Sequence, residues 1–273
     1  MDISLGSFGV WRRLGEITPD MAREAEALGY GAVWVGGSPP GDLEAVEQII
    51  AATERIPVLT GIVNMWREDA ALVATSYQRI EERYPDRLIL GVGIGHPEST
   101  KEFEKPIDKI VDYLDQLDAR AVPKERRLLA ALGPKVLRLA AERTRGAHPY
   151  LTTPRHTASA RQVMGAGSLL APTPMVALTP AASPAPPEAR AIVERYLRLS
   201  NYRRNLLREG WDSSDLAAGG SNRLVDALVL HAPPETVVTG LTAHLEAGAD
   251  HLAVYVLDND PVDSWRQLAN LLL

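Results

Sequence analysis

Residues 57–66 read PVLTGIVNMW, an apolar run that begins on a proline and ends on an amide and an indole. Such a run is typical of a strand covered on both faces, as the strands of parallel sheets are. In (β/α)8 barrels the carboxyl ends of the strands carry the chemistry. Gly61, Asn64 and Trp66 lie at that end, which predicts a functional site there. The alternative is an ordinary core strand that enters a loop.

Short apolar runs alternate with longer amphipathic segments on both sides of this strand, which indicates repeated βα units. We predict strands at residues 3–8, 32–35, 57–63, 87–93, 128–132, 146–150, 176–178 and 251–257. We predict helices at residues 19–28, 42–53, 69–84, 101–117, 134–143 and 262–273. This pattern predicts a single α/β domain, residues 1–273, with the fold of a TIM-type (β/α)8 barrel. A doubly wound sheet is the rival, but residues 8–13 lack its glycine-rich fingerprint.

The alternation stops at residues 181–231, between the seventh and eighth predicted strands. This segment opens with AASPAPP and continues with two helical patterns, one through Leu207 and one at residues 221–230. It predicts an all-helical insertion that is too small for a large core of its own. Two roles stay open. It is either a mobile lid over the barrel mouth, carrying Asn201, Tyr202 and Arg203, or the interface of a homodimer.

Composition excludes several classes of function. The chain has no cysteine, which excludes disulfides, thiolate metal sites and thiolate catalysis. Its net charge of −6 argues against a nucleic-acid surface, and no apolar run is long enough for a membrane span. No secretory signal is visible, so we expect a cytoplasmic protein. The histidine spacing predicts no metal site, and the absence of a Gly-x-Ser-x-Gly elbow argues against a serine hydrolase.

Three further segments follow strand ends and offer flexible or polar groups. Residues 91–96 read GVGIGH, where the glycines favour close approach by a backbone or a flat ligand. His96 is a candidate acid or hydrogen-bond donor, or else a solvated loop residue. Gly133 precedes Pro134 at a helix start, which predicts an anion site or a simple tight turn. Residues 148–157 supply hydroxyls and an arginine where such barrels bind phosphate.

With these motifs in order, the chain resembles the luciferase-like monooxygenase superfamily over essentially its whole length. Within it, the chain is similar to the short actinobacterial group of oxidoreductases that use coenzyme F-420. The resemblance rests on AEALGYGAVW (25–34), TGIVN (60–64), RLILGVG (87–93), AALGP (130–134), LSNYR (199–203) and AGADH (247–251). Relatives use FMN, so the segments specify the superfamily better than the cofactor.

The resemblance implies a set of site residues. It implies a non-prolyl cis peptide at Gly61–Ile62 against the cofactor ring, and a backbone segment at residues 130–133 beside the ribityl and phosphate part. The cofactor-binding residues that the resemblance implies are Gly61, Ile62, Ala130, Ala131, Leu132, Gly133, Thr152 and Thr153. The strand-end motifs and the donor-rich loop at residues 148–157 add Asn64, Gly93 and Arg155 as further expected cofactor-binding residues.

One departure from the family concerns proton transfer. Well-studied relatives place an Asp or an Asp-His pair after strand two, whereas residues 36–38 of this chain read GGS. His96, Trp66 and Tyr202 are therefore the catalytic candidates.

Three functions follow from these observations. The first is hydride transfer between coenzyme F-420, a deazaflavin, and a small organic substrate that stacks against Phe8, Trp11, Trp66 or Tyr202. The second is an FMN-dependent monooxygenase on the same scaffold. The third is a non-catalytic ligand-binding barrel, because the Asp-His pair is missing.

Overall fold

The structure is a computed structural model that describes residues 3–100, 105–180 and 184–273. Its strands are β1 (Phe8–Arg13), β2 (Val33–Gly36), β3 (Val58–Gly61), β4 (Val63–Asn64), β5 (Leu88–Gly93), β6 (Arg127–Leu129), β7 (Gly146–Ala147), β8 (Leu169–Leu170), β9 (Met175–Leu178), β10 (Val229–Ala232) and β11 (Leu252–Val256). Its α-helices are α1 (Pro19–Ala27), α2 (Glu44–Ala51), α3 (Ala70–Arg83), α4 (Pro106–Ala119), α5 (Pro134–Arg143), α6 (Pro154–Met164), α7 (Pro187–Leu197), α8 (Ser200–Arg208), α9 (Asn222–Leu228), α10 (Pro234–Glu246) and α11 (Val262–Leu272).

The described strands form one curled parallel sheet. Their order is β10-β9-β11-β1-β2-β3-β5-β6-β7-β8, with β4 beside β5. The segment from β8 to β9 closes the ring, because it pairs with β7 at its start and with β11 farther along. At this seam the N–H groups of Asp250 and Ala253 donate to the carbonyl groups of Leu170 and Pro172 over 2.9 and 3.0 Å. The predicted α/β barrel is confirmed.

Side chains alternate between the inside of the barrel and its outer surface, as the two-residue period of a strand requires. On β2, Trp34 belongs to the inner cluster with Trp11 and Leu59. Val33 and Val35 belong to the outer cluster, between the sheet and the helices. Both clusters are buried, which explains why the strands have continuous apolar sequences.

The starts of two helices lie close to strand ends. Residues 130–133 alone connect β6 to α5, so the N-terminus of α5 lies at the carboxyl ends of the strands. Gly133 is the N-cap of α5, and Pro134 occupies its first turn, where a missing N–H costs nothing. Thr153 caps α6 by accepting the N–H of His156.

Several predicted boundaries are wrong. The first strand is β1 and not residues 3–8, because its ladder with β11 begins at Phe8 and its ladder with β2 at Val10. Ile3 and Leu5 fill the inner core before the strand. The helix predicted at residues 221–230 ends at Leu228, because residues 229–232 pair with β9 as β10. The insertion is therefore not all-helical.

Two further points concern element limits. Strand β8 was not predicted, and the predicted start of the fourth helix at Lys101 lies outside the described residues.

No helix within residues 3–100, 105–180 and 184–273 combines the length and apolar character that a membrane span requires.

Candidate active site

A cavity of about 710 Å³ opens at the carboxyl ends of the barrel strands. Strand ends and the residues after them form its floor, and residues of α7 and α8 form one wall. The structure brings nine predicted site residues to its lining, namely Gly61, Ile62, Asn64, Ala130, Ala131, Leu132, Gly133, His96 and Tyr202. The insertion thus covers the mouth of the barrel, as expected for a lid.

Other predicted site residues lie outside the lining. Gly93 lies behind the floor, where a built methyl group would be 2.8 Å from Cβ of Ala130 and 2.9 Å from Cγ1 of Ile62. Thr152 is buried, and Thr153 caps α6. These positions shape the floor and wall without lining the cavity.

Arg155, Trp66 and Phe8 are predicted site residues that the structure places outside the cavity lining. The side chain of Arg155 is exposed and lies outside the lining, since it is on the outer side of α6 next to Gly210. Trp66 packs beneath Lys109, whose Nζ lies 5.4 Å from the ring centroid. Phe8 belongs to the layer between sheet and helices, because inward and outward positions alternate and Trp11 points inward.

The floor is built on the ends of β2 and β3. The peptide bond between Gly61 and Ile62 is cis. Gly36 and Gly61 are register partners on the two strands, and the indole of Trp11 lies across both. A methyl group built at Gly36 would overlap the indole, so no side chain, acidic or otherwise, has room at this position.

Positive charge dominates the lining. Five lining residues are Lys or Arg, and none of the described lining residues is Asp or Glu. The cations are Arg13, Arg67, Lys135, Arg204 and Arg208. The chain as a whole has a net charge of −6. The cavity is therefore a region of positive potential on a chain whose net charge is negative. A cleft lined by one sign of charge concentrates ligands of the opposite sign.

The N-terminus of α5 forms one end of the cavity. Residues 133–136 line it, and the first N–H groups of a helix have no partner within the helix. The guanidinium of Arg208 lies nearby, with Nη1 3.8 Å from a methyl group built at Gly133. Free N–H groups, the helix dipole and a guanidinium together suit an anion such as phosphate.

The buried side chain of Glu209 is linked by hydrogen bonds to the residues at this end of the cavity. Glu209 accepts hydrogen bonds from Thr153 Oγ1 at 3.1 Å and from Asn205 Nδ2 at 2.7 Å. Asn205 in turn accepts from Nη1 of Arg208 at 3.1 Å. Burial raises the pKa of Glu209 to about 7, although these hydrogen bonds and the nearby Arg155 and Arg208 oppose the rise. The network ties the end of α8 to the start of α6.

Three aromatic residues of the lining pack together as one wall of the cavity. The ring centroid of His96 lies 5.6 Å from that of Tyr202 and 6.2 Å from that of Tyr196. Burial lowers the pKa of His96, so its imidazole is neutral at neutral pH. Burial raises the pKa of Tyr202 well above its ordinary value, so its phenol stays protonated. The wall therefore offers a neutral imidazole and a neutral phenol.

His148 lines the cavity from below and is also neutral. Its ring stacks on Trp34 with a centroid distance of 4.3 Å, and burial lowers its pKa to about 4. The neutral ring donates from Nδ1 to the carbonyl group of Ala171 at 2.8 Å. Its Nε2 lies 3.4 Å from Oγ1 of Thr173.

The sequence analysis missed Arg13, His148, Tyr196 and Arg208 as lining residues. Arg13 was missed because the first strand was predicted to end at Phe8, which hid its true carboxyl end. Tyr196 and Arg208 have no sequence signal, because tertiary packing decides which face of α7 and α8 meets the barrel. His148 could have been found from its place directly after a strand.

Comparisons with known proteins agree with this architecture. The family model for luciferase-like monooxygenases matches residues 13–251. An F-420-dependent secondary alcohol dehydrogenase, solved with an F-420–acetone adduct, is similar with a TM-score of 0.76 and 16% identity over 98% of each chain. The F-420-dependent tetrahydromethanopterin reductase from Methanopyrus kandleri has a TM-score of 0.71 and 15% identity over 97% of each chain.

A third similar structure contains a flavin. The oxygenating constituent of 3,6-diketocamphane monooxygenase from Pseudomonas putida, solved with FMN, has a TM-score of 0.66 and 16% identity over 97% of this chain and 96% of that one. A search of curated proteins gave no match. The solved structures support the fold alone, whereas the family model spans most of the sequence. The chain therefore belongs to the luciferase-like monooxygenase family.

Proposed function

We propose that the chain is an oxidoreductase that uses coenzyme F-420 and acts on a small organic substrate. The observation that carries this proposal is the cationic cavity at the carboxyl ends of the barrel. The deazaflavin ring of this coenzyme carries a hydride, and its side chain bears a phosphate and glutamate carboxylates. Several cations with no carboxylate beside them suit such a polyanion.

The residues present fit both parts of the coenzyme. The floor at Gly61, Ile62 and Trp11 offers a largely apolar surface for a flat ring. The N-terminus of α5, with Lys135 and Arg208, offers donors for the phosphate. The other lining cations, Arg13, Arg67 and Arg204, provide positive charge for the carboxylates.

FMN is the second candidate, because one similar structure was solved with it. FMN carries a single phosphate and no carboxylate, so it would leave Arg13, Arg67 and Arg204 without an anionic partner. The charge distribution therefore favours coenzyme F-420. A non-catalytic ligand-binding barrel is the outcome if neither cofactor binds.

The chain's own groups would position the substrate and handle a proton. Helix α8 covers the mouth and would keep water from the reacting atoms. The neutral imidazole of His96 can accept a proton from a substrate hydroxyl, and the phenol of Tyr202 can donate a hydrogen bond. Trp66 has no place in this proposal, because it lies outside the lining.

Separate equilibrium titrations with coenzyme F-420 and FMN test the proposal. We expect micromolar binding of coenzyme F-420 and weaker binding of FMN, followed by the absorbance of each chromophore. Tighter binding of FMN, with oxygen consumption by the reduced complex, would replace the proposal with the monooxygenase. Failure of both cofactors to bind would leave the non-catalytic barrel.

A further inference from the structure

The indole of Trp11 fits against the ends of β2 and β3 because both neighbouring positions are glycines. Trp11 lies on β1 with 3% of its surface exposed, and it lines the cavity. Its benzene ring lies over Gly36, and its pyrrole edge lies over Gly61. Side chains at either position would collide with it, since even a methyl group built at Gly61 would be 2.7 Å from Nε1.

Two aromatic rings hold the indole in this orientation. The ring centroid of Tyr255 lies 4.5 Å from that of Trp11, and the ring centroid of Tyr150 lies 5.5 Å away. The two tyrosine rings therefore pack against the indole, while its Nε1 lies next to Gly61. A well-packed ring loses little conformational freedom when a ligand arrives.

The N–H group of this indole is unused within the protein. Nε1 of Trp11 is buried and makes no hydrogen bond with any of the described residues. A buried donor without a partner is costly, and native structures rarely keep one without a reason. Trp34 is the contrast, because its Nε1 donates to Nε2 of His251 at 3.0 Å.

We infer that Nε1–H of Trp11 is a binding group that donates a hydrogen bond to an acceptor atom on the edge of the bound heteroaromatic ring. This inference rests on the proposed function, since both candidate cofactors carry ring nitrogen and carbonyl acceptors. It also accounts for the glycines at positions 36 and 61, which leave space for the indole. Residues 36–38 at the end of β2 are Gly, Gly and Ser, so Ser38 is the only polar side chain there. The indole N–H of Trp11 on β1 would therefore supply the hydrogen bond to the ring.

The replacement Trp11→Phe tests the inference, with the bare deazaflavin chromophore, which lacks phosphate and glutamates, as the probe beside coenzyme F-420. The replacement keeps an aromatic ring and removes the donor. We expect the Kd of both ligands to rise by a similar factor of about 3 to 10, the usual range for one net hydrogen bond. An unchanged Kd for both ligands would overturn the inference while the proposed function stands. Failure of the unaltered chain to bind either cofactor would overturn the proposed function and the inference with it.

A second measurement follows ligand binding in the unaltered chain and does not use Trp11→Phe. In protein with ¹⁵N-labelled tryptophan, the five indole resonances are assigned by single replacements of the other four tryptophans. We expect the Nε1–H resonance of Trp11 to move downfield when the chromophore binds, and its exchange with solvent to slow. The resonance of Trp34 is the internal control and should stay in place. A bound chromophore with no change at Trp11 would overturn the inference.

Discussion

Glu209 is a carboxylate that the folded chain holds away from water, and its protonation links folding to pH. Burial raises its pKa from 4.5 to about 7. Between these two values the folded chain binds a proton that the unfolded chain has released, so stability falls as pH rises through this range. We expect the stability of the unaltered chain relative to Glu209→Gln to fall by about 2–3 kcal/mol between pH 4.5 and pH 7.5.

Denaturant unfolding of both proteins across this pH range measures the effect. Glu246→Gln, at an exposed position at the end of α10, is the matched control and should leave the pH dependence unchanged. A constant difference between Glu209→Gln and the unaltered chain at every pH would mean that the pKa of Glu209 is the same in the folded and the unfolded chain.

Arg208 and Arg155 provide a matched pair for the anion end of the cavity. Both lie near Glu209, but Arg208 lines the cavity and Arg155 is exposed outside it. We expect Arg208→Gln to weaken coenzyme F-420 about tenfold, because one charge-assisted hydrogen bond is lost. The bare chromophore should bind Arg208→Gln as it binds the unaltered chain.

Arg155→Gln removes the same charge from the same neighbourhood, and we expect it to change neither affinity by more than about twofold. Isothermal titration calorimetry gives all the required constants. A larger loss in Arg155→Gln than in Arg208→Gln would restore Arg155 as the phosphate ligand that the sequence predicted.

At the scale of elements, a hydrogen bond joins the start of α8 to the loop that carries His96. Oε1 of Glu98 accepts the N–H of Ser200 at the start of α8 over 2.7 Å. If α8 is a lid, this bond helps to hold it closed. We expect Glu98→Ala to speed amide exchange in the first turn of α8 about fivefold, as expected for the loss of a helix cap. Unchanged exchange there would show that α8 is held by its buried face alone.

The same exchange experiment separates a lid from a dimer interface. A lid should gain protection in α8 when coenzyme F-420 binds, at every protein concentration. Leu207 is an exposed apolar residue on α8, with 44% of its surface accessible, so an interface is the specific alternative. Protection that falls with dilution and ignores the cofactor would identify the interface.

The boundaries of a strand or helix could be predicted where the local sequence pattern sets them. They could not be predicted where pairing with a distant strand sets them. The strand at residues 57–63 was found because burial on both faces leaves a continuous apolar run. The first strand was misplaced, because Ile3 and Leu5 are as apolar as a strand but lie before the ladder. Residues 229–232 look like the end of a helix and become β10 only because β9 offers a free edge.

At the scale of the whole molecule, parallel barrel topology made part of the site predictable. Once eight strands are expected, their carboxyl ends must converge, which brings Ile62, Asn64 and Gly133 together. The charge of the cavity could not be foreseen, because its cations come from four distant segments of the sequence, which hold Arg13, Arg67, Lys135, and Arg204 with Arg208. They meet only when the insertion covers the barrel mouth.

The central claim is that this cationic cavity holds a deazaflavin coenzyme, and a crystal structure of the chain grown with coenzyme F-420 tests it most directly. The account predicts the ring against Ile62 and Trp11, and the phosphate at the N-terminus of α5 beside Arg208. Coenzyme bound elsewhere on the chain, or with its phosphate away from α5, would contradict it.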